Sequence, residues 1–301
     1  MDRFDSMSIL LSVVEAGSLS AAGRKLRMPL TTVSRKISDL EAHLKTRLLN
    51  RTSRQLTLTD AGLAYVAACK RILEDLGEAE RAAMGEYSAP KGNLVVTAPV
   101  VFGRLHVLPV ISEFLKSFPE IDIRLVLADR LVNILDDHID LAIRIGRLPD
   151  SSLVAIRIGE IRRVICASPS YWAARGLPAS PDELRTHDCI AFQGLTAPEA
   201  WRFGNGNAEM LVPLHSRLVV NTAEAAIDAA IGGVGVTRVL SYQIADAVRA
   251  GRLATALEAF EPAPWPISLV HAGQGLLPLK LRAFLDFAAP RLKERVTQAA
   301  L

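Results

Sequence analysis

The fold of the N-terminal region follows from residues 18–41, which read SLSAAGRKLRMPLTTVSRKISDLE. Ser18 is the predicted N-cap of a short helix, Leu19 to Leu26, because its hydroxyl can accept a hydrogen bond from a free backbone N–H. Pro29 is predicted in the first turn of the next helix, where a missing N–H costs nothing. That helix has a predicted buried face at helical spacing, formed by Val33, Ile37, Leu40 and Leu44. The stretch therefore predicts two short helices joined by a tight turn.

A further helix and a short hairpin flank this pair. Residues 4–15 place Phe4, Met7, Leu11 and Val14 on one helical face, and Gly17 ends the helix. After Leu48 and Leu49, the segment 52–59 alternates Leu56 and Leu58 with polar residues, which predicts a two-stranded wing. Residues 1–60 are therefore predicted to form a winged helix-turn-helix domain.

The positive charge of the chain is concentrated in this domain. Residues 24–54 contain nine Lys/Arg and two Asp/Glu, a balance of +7, whereas the whole chain carries +3 and the other 270 residues sum to −4. A local basic footprint of this kind indicates nucleic-acid binding. The third helix would lie in the major groove of double-stranded DNA, although the same polar face is also compatible with simple solvation. The predicted DNA-binding residues are Ser18, Pro29, Leu30, Thr31, Thr32, Ser34, Arg35, Lys36, Arg51 and Arg54.

A long helix is predicted over the segment 58–88. Apolar residues form one stripe of spacing three and four: Leu58, Ala61, Tyr65, Ala68, Ile72, Leu76, Ala79 and Ala83. So narrow a stripe is typical of a helix that pairs with a second copy of itself, and packing along its own chain is the alternative. Residues 85–93, GEYSAPKGN, read as a linker.

Residues 91–301 alternate predicted strands and helices, which indicates a parallel sheet with right-handed crossovers. The expected fold is an α/β domain of two similar lobes with a ligand cleft between them. Lobe I would span about 91–162 and 267–301, and lobe II about 163–266. The fold class is thus α/β, preceded by a helix-rich winged helix-turn-helix domain.

The chain resembles the LysR-type transcriptional regulators. The resemblance rests on SLSAAGRKL (18–26), TVSRKISDLE (32–41) and RLLNRTSRQLTLTDAG (47–62), and more weakly on DLAIRIG (140–146) and GGVGV (232–236). It implies a ligand-responsive regulator with a C-terminal domain like periplasmic solute-binding proteins, an effector between the lobes, and dimers that pair into tetramers. A partly palindromic operator follows from the dimer, and RNA polymerase is a further candidate partner. The family commonly has Ser-Gln where Pro29-Leu30 stand here, so Leu30 is expected to contact a thymine methyl instead.

The expected effector is a small anion such as a carboxylate. Two helix starts are candidate anion sites: Thr97, Ala98, Pro99 and Val100, and the pair Asn221 and Thr222, with Asn221 as N-cap and Glu224 as its capping-box partner. Arg144 at a strand end is a candidate counter-charge, and Phe192, Gln193, Trp201 and Phe203 are a candidate aromatic wall. The alternatives are ordinary helix starts, a surface ion pair and core aromatics.

Several function classes are disfavoured. The chain has no GxGxxG, GxxxxGK[ST] or GxSxG motif, so no enzyme activity and no cofactor are expected. No metal-ligating pattern occurs, and Cys69, Cys166 and Cys189 are expected to be reduced thiols. No apolar run reaches the roughly 18–20 residues of a membrane span, and Met1-Asp2-Arg3 does not begin a signal peptide, so a cytoplasmic protein without a membrane partner is expected. The alternative function is a small-molecule (solute) binding protein without a regulatory role.

Overall fold

The computed structural model describes residues 2–51, 56–83, 89–129, 134, 137, 139–148, 153–192, 200–204, 210–273 and 277–299. The chain divides into two compact units, Met1–Ala89 and Pro90–Leu301. Within the described residues, no single helix is long and apolar enough to cross a membrane. Helices Arg3–Ala16 and Leu19–Leu26, bent by 117° against each other, pass that test only as a pair.

The first unit is a helical domain with a two-stranded antiparallel wing. Its described elements are α1 (Arg3–Ala16), α2 (Leu19–Leu26), α3 (Leu30–Leu44), β1 (Leu49–Arg51), β2 (Leu56–Leu58) and α4 (Asp60–Ala83). Gly17 ends α1 in the left-handed region, and the Ser18 hydroxyl accepts a hydrogen bond from the Ala21 amide at 3.1 Å, which confirms both predicted boundaries. Pro29 is the N-cap of α3, one residue before the helix begins at Leu30, and so is not in the first turn as predicted.

Two side chains fix the position of the wing. The Glu41 carboxylate accepts hydrogen bonds from the amides of Leu48 at 2.8 Å and Leu49 at 3.1 Å, where β1 begins. The Thr59 hydroxyl donates to the Arg47 carbonyl at 2.7 Å and accepts from the Gly62 amide at 2.9 Å. Helix α4 therefore begins at Asp60 and not at the predicted Leu58, which is paired with Leu49 in the wing.

The predicted buried face of α3 lies in the core of this unit. Val33, Ile37 and Leu40 are fully buried, and Leu44 is partly buried against them. The other buried members of the cluster come from α1, α2, the start of the wing and α4: Ile9, Leu10, Val13, Ala22, Leu48, Leu49 and Val66. The apolar residues that recur at helical spacing in the sequence of α3 are therefore the residues that this helix buries.

Helix α4 turns only part of the predicted stripe to this core, since Tyr65 packs against it beside the buried Val66. Val66 and Cys69 are buried, whereas Ala61 is exposed and Ile72 is 38% exposed. The helix has 24 residues, about 36 Å at 1.5 Å per residue. The side chains of Ala79 and Ala83 lie outside the described residues. The described stripe thus leaves apolar surface uncovered within its own unit.

The second unit is an α/β domain in which strands and helices are interspersed along the chain. Its described strands are β3 (Gly92–Ala98), β4 (Ile121–Leu127), β5 (Leu141–Ile145), β6 (Leu153–Ile161), β7 (Arg163–Ala167), β8 (Asp188–Phe192), β9 (Ala200–Phe203), β10 (Met210–Pro213), β11 (His215–Val220), β12 (Val236–Leu240), β13 (Ala254–Ala256) and β14 (Trp265–Ala272). Its helices are α5 (Val100–Phe102), a π-helical turn (Gly103–Val107), α6 (Leu108–Ser117), α7 (Pro169–Arg175), α8 (Ala223–Ile231), α9 (Ser241–Arg249) and α10 (Leu279–Gln298), with 3₁₀ turns at Pro181–Thr186 and Glu258–Phe260.

Two five-stranded sheets organise this domain. Lobe I contains the sheet of order β4-β3-β5-β14-β6, and lobe II the sheet of order β11-β8-β12-β7-β13. In each sheet the first three strands are parallel and the other two are antiparallel to their neighbours. The α/β class is confirmed, but the fully parallel sheet is wrong, because β7 and β14 enter their sheets just after the chain changes lobe.

The sequence pattern predicts none of the strands β6, β9, β10 and β13. The last three are short, and β6 has half-exposed residues on both faces, so none gives a clear period-two signal. The sequence pattern also predicts a short helix over 131–137, a segment that lies outside the described residues except for Ile134 and Asp137. Trp265 begins β14 and so belongs to lobe I, not to the predicted lobe II.

The chain passes between the lobes twice, at Arg162 and again at 261–264, and an ion pair joins these two segments. The Arg162 guanidinium is 2.7 Å from the Glu261 carboxylate, which joins the two crossing segments. Near them, Tyr242 of lobe II packs into the core of lobe I, with its ring edge-on to Phe102 at 5.4 Å between centroids. The lobes therefore share apolar contacts as well as two covalent connections.

Gly235, just before β12, lies in close contact with the backbone of a neighbouring strand in lobe II. A Cβ on Gly235 would lie 2.2 Å from the Asp188 carbonyl oxygen, whereas a Cβ on Gly232 would meet its nearest atom at 3.4 Å. We expect Gly235→Ala to lower the free energy of unfolding by about 1–3 kcal/mol through overpacking. Gly232→Ala, the matched control, should change it by less than about 1 kcal/mol. Urea unfolding of both variants measures this, and equal losses would contradict the close approach.

Candidate functional site

Helix α3 presents a short polar and basic surface. Leu30 is 50% exposed, and Thr31 and Arg35 are also exposed. Thr32 and Ser34 are half-buried beside Val33. Short hydroxyl side chains allow a helix to approach a nucleic acid closely, and an exposed arginine can reach a phosphate or a guanine.

Lys36 differs from the other predicted contacts. Its ammonium lies 2.6 Å from the Asp5 carboxylate of α1, and its side chain is only 25% exposed. The pair joins two helices of the same unit and neutralises the charge. Lys36 therefore has an intramolecular partner that supports the fold of the domain, and its contact with DNA stays a prediction. Ser18 acts as a helix cap, Pro29 is exposed, and Arg54 and the side chain of Arg51 lie outside the described residues.

A cleft in the second unit lies at the carboxyl ends of parallel strands. It has a volume of about 470 Å³, within the usual range of small-molecule sites. Lobe I contributes residues at the ends of β3, β4 and β5: Pro99, Ala128, Asp129, Arg144 and Ile145. Lobe II contributes residues at the ends of β8, β11 and β12: Ile190, Phe192, Asn221, Arg238, Val239 and Leu240. Ligands of open α/β sheets bind at this edge, because crossover connections bring all parallel strands to end there.

Cations stacked on aromatic rings line the same cleft. The Arg163 guanidinium lies 4.2 Å from the centroid of the Trp265 ring, and the Arg238 guanidinium lies 5.4 Å from that of Trp201. Arg238 also donates a hydrogen bond to the Arg202 carbonyl at 2.8 Å. These contacts hold the two guanidinium groups in place at the cleft.

Basic side chains outnumber acidic ones among the described residues that line the cleft. Arg144, Arg163 and Arg238 face it, and among its described lining residues Asp129 is the single acidic one. The pKa of Arg238 is lowered to about 10, first by burial and then by the positive charge of Arg163. Burial also lowers the pKa of Arg144. The arrangement is therefore suited to an anion.

The structure corrects the predicted anion site at Thr97 to Val100. Thr97 is fully buried, and its hydroxyl donates to the Val126 carbonyl at 2.9 Å, inside the lobe I sheet. The Val100 amide donates to the Asp129 carboxylate at 3.0 Å, so the chain's own carboxylate occupies this helix start. Ala98 is buried and lies outside the cleft lining; Pro99 alone of the four lines it.

The second predicted helix start is shifted by one residue. Thr222 is the N-cap of α8, accepting from the Ala225 amide at 3.2 Å, so the prediction of Asn221 as N-cap is wrong. Asn221 lines the cleft and Thr222 does not. Glu224 is no capping-box partner; it lies 3.9 Å from the Arg104 guanidinium of lobe I.

The remaining predicted effector residues divide between cleft and core. Arg144, Phe192 and Trp201 line the cleft. Phe203 belongs to the core of lobe II, and Gln193 lies outside the described residues.

Sequence reasoning missed lining residues at other strand ends, namely Asp129, Arg163, Arg238, Tyr242 and Trp265. A signal was present at Arg163, which begins an otherwise apolar strand, whereas Arg238 lies in the middle of β12 and has no such signal.

Two family models match the chain. The model described as "Bacterial regulatory helix-turn-helix protein, lysR family" matches residues 4–63, and that described as "LysR substrate binding domain" matches residues 88–293. The chain belongs to the LysR family of transcriptional regulators. It is therefore a DNA-binding regulator with an effector-binding domain and not an enzyme.

Curated relatives and solved structures agree with this assignment. A HTH-type transcriptional regulator of Xanthomonas campestris is 36% identical over 94% of this chain and 84% of the relative. A HTH-type transcriptional repressor of Pseudomonas aeruginosa is 33% identical over 95% of this chain and 91% of its own. The LysR-type regulator CrgA of Neisseria meningitidis has a solved structure that covers 96% of this chain and 98% of its own, with a TM-score of 0.61 and 29% identity. The likeness thus extends over both units.

The different environments of Arg35 and Lys36 predict different salt dependences of DNA binding. Replacing Arg35 with Ala should lower the slope of log affinity against log salt by about 0.9 on a random-sequence duplex, since one phosphate contact is lost. The control is the double variant Asp5→Asn/Lys36→Met, which removes a neutral pair and should leave the slope unchanged. Fluorescence anisotropy over a salt series measures both. An equal loss of slope in the control would make Lys36 a phosphate contact.

Proposed function

We propose that this LysR-type regulator responds to a small anionic metabolite bound in the cleft between lobes I and II. The observation that carries the proposal is the set of three arginines, Arg144, Arg163 and Arg238, around one cavity whose described lining holds a single carboxylate. That carboxylate, Asp129, is already engaged by the Val100 amide. A carboxylate is the simplest ligand of this charge.

The energetic argument rests on desolvation. Guanidinium groups at a partly buried site lose water, and two like charges raise the cost further. An anion between Arg163 and Arg238 would offset both effects, since charge-assisted hydrogen bonds from the planar guanidinium fork are strong and directional. The lowered pKa of Arg238 reflects the cost that such a ligand would relieve.

Effector binding would act by selecting one arrangement of the lobes. Arg144 comes from lobe I and Arg238 from lobe II, so an anion that touches both is bound more tightly when the lobes are close. Arg104 and Glu224, at 3.9 Å, already form a contact across the same gap. The favoured arrangement would then be passed on to the DNA-binding units through the dimer.

DNA binding would use α3 in the major groove of double-stranded DNA. Leu30, half-exposed where the helix begins, would contact a thymine methyl, and Arg35 a phosphate or guanine. Two copies joined through α4 would place two such helices on successive grooves of a partly palindromic operator, and pairs of dimers would form tetramers. The uncovered stripe with Ala61 and Ile72 supports this pairing.

The effector proposal predicts charge-selective stabilisation. Small carboxylates at about 100 times their dissociation constant should add about 2.7 kcal/mol of stability, or about 5–10 °C in melting temperature, whereas their neutral amides should not. Arg238→Gln should abolish the shift. The control Arg147→Gln removes an exposed charge beside β5 and should retain it. Thermal-shift assays decide this: amides as effective as carboxylates, or a full shift in Arg238→Gln, would refute the anion site.

The dimer proposal predicts sensitivity at one position of α4. Ile72→Lys would put a charge into the paired stripe and should convert dimers to monomers in sedimentation velocity. Lys70→Ala, roughly 200° around the helix from Ile72, should leave the dimer intact. A dimer that survives Ile72→Lys would place the contact elsewhere.

A further inference from the structure

The two helices of the helix-turn-helix each end on a basic residue in the left-handed backbone region. Arg27 follows α2 with a φ of 54°, and Lys45 follows α3 with a φ of 51°. We propose that these two side chains bind phosphates on either side of α3 and clamp that helix to the DNA backbone. The proposal rests on the placement of α3 in the major groove that is proposed above. Neither residue is among the DNA contacts predicted from the sequence.

The same left-handed turn ends α1, but there the residue is a glycine. Gly17 has a φ of 70°, and its amide donates to a carbonyl three residues back, as do the amides of Arg27 and Lys45. Glycine enters this region without the steric clash between Cβ and the backbone that other residues meet. The turns at Arg27 and Lys45 would therefore form at lower free energy with glycine, so the needs of the turn do not account for the basic side chains.

Both side chains are available to a nucleic acid. Arg27 and Lys45 are exposed, and among the described residues no carboxylate forms an ion pair with either one. Lys36, by contrast, lies 2.6 Å from the Asp5 carboxylate and must give up that partner to reach a phosphate. Arg27 and Lys45 can therefore neutralise phosphates and release counterions from the DNA at no such cost.

The length of α3 places its two ends at the walls of the groove. The helix has 15 residues, about 22 Å at 1.5 Å per residue, whereas the major groove of B-DNA is about 12 Å wide. A helix of this length that crosses the groove brings the residues that flank it to the two phosphate backbones. Arg27 lies three residues before Leu30, where α3 begins, and Lys45 directly follows its last residue. Phosphate contacts at both ends would fix the register of α3 on the duplex.

The test replaces each residue with glycine in the full-length protein. On a random-sequence duplex, Arg27→Gly and Lys45→Gly should each lower the slope of log affinity against log salt by about 0.9, which is about an eightfold loss of affinity at roughly 0.1 M salt. The melting temperature should be unchanged or higher, because glycine suits the left-handed turn. Fluorescence anisotropy over a salt series and thermal unfolding measure the two effects. An unchanged slope with a lower melting temperature would overturn the clamp, since the cation would then act on its own helix dipole alone.

Charge-conserving variants and a lysine of another helix are the controls. Arg27→Lys and Lys45→Arg keep the positive charge and should keep the slope. Lys70→Gln removes an exposed lysine of α4 and should also keep it. An unchanged slope in either glycine variant, or a loss of slope in either charge-conserving variant, overturns the clamp.

Arg35→Ala in the same series separates the clamp from the placement of α3. A lower slope in Arg35→Ala beside unchanged slopes in the glycine variants overturns the clamp and leaves α3 in the groove. An unchanged slope in Arg35→Ala and in both glycine variants overturns the placement of α3 as well.

Discussion

Arg163 and Arg238 lie as diagonal neighbours on antiparallel strands, so two guanidinium groups share one partly desolvated face of lobe II. Two neighbouring cations that have lost water raise the free energy of the folded chain. Each of these guanidinium groups stacks on a tryptophan ring, which offsets part of that cost: Arg163 on Trp265 of lobe I, and Arg238 on Trp201 of β9. The Trp265 contact crosses between the lobes. The position of the Arg163 charge in the cleft therefore depends on how the two sheets are placed relative to each other.

The lobes also meet through an apolar contact beside the cleft. Tyr242 from α9 packs edge-on against Phe102 and lies 5.5 Å from the His106 ring, both in lobe I. Within the described part of the chain neither ring nitrogen of His106 has a hydrogen-bond partner, and burial, with Arg295 nearby, lowers its pKa to about 4. The imidazole is thus neutral at neutral pH and packs as an apolar group. Because Tyr242 also lines the cleft, a ligand there lies against a side chain that spans both lobes.

The N-terminal domain was predicted closely because its signals are local. The caps at Gly17 and Ser18 and the spacing of Val33, Ile37 and Leu40 depend on residues three or four positions apart. The effector cleft was predicted less well, since its lining comes from the ends of strands distant in sequence. Thr97 has the right residue type for an anion site, yet strand pairing turns its hydroxyl to the Val126 carbonyl. The ion pair of Lys36 with Asp5, 31 residues away, is likewise a contact that no local pattern reveals.

The family, the winged helix-turn-helix domain and the alternation of strands and helices can be inferred from the amino-acid sequence, because periodicity, caps and charge clustering are properties of neighbouring residues. Which arginines share a cavity is visible in the folded chain alone. Nothing along the chain shows that Arg144, Arg163 and Arg238 will lie together, and Asp129 gives no local sign that it will occupy a helix start. They meet because two sheets direct the carboxyl ends of their parallel strands to one cleft, and that convergence depends on strand order, which no local pattern encodes.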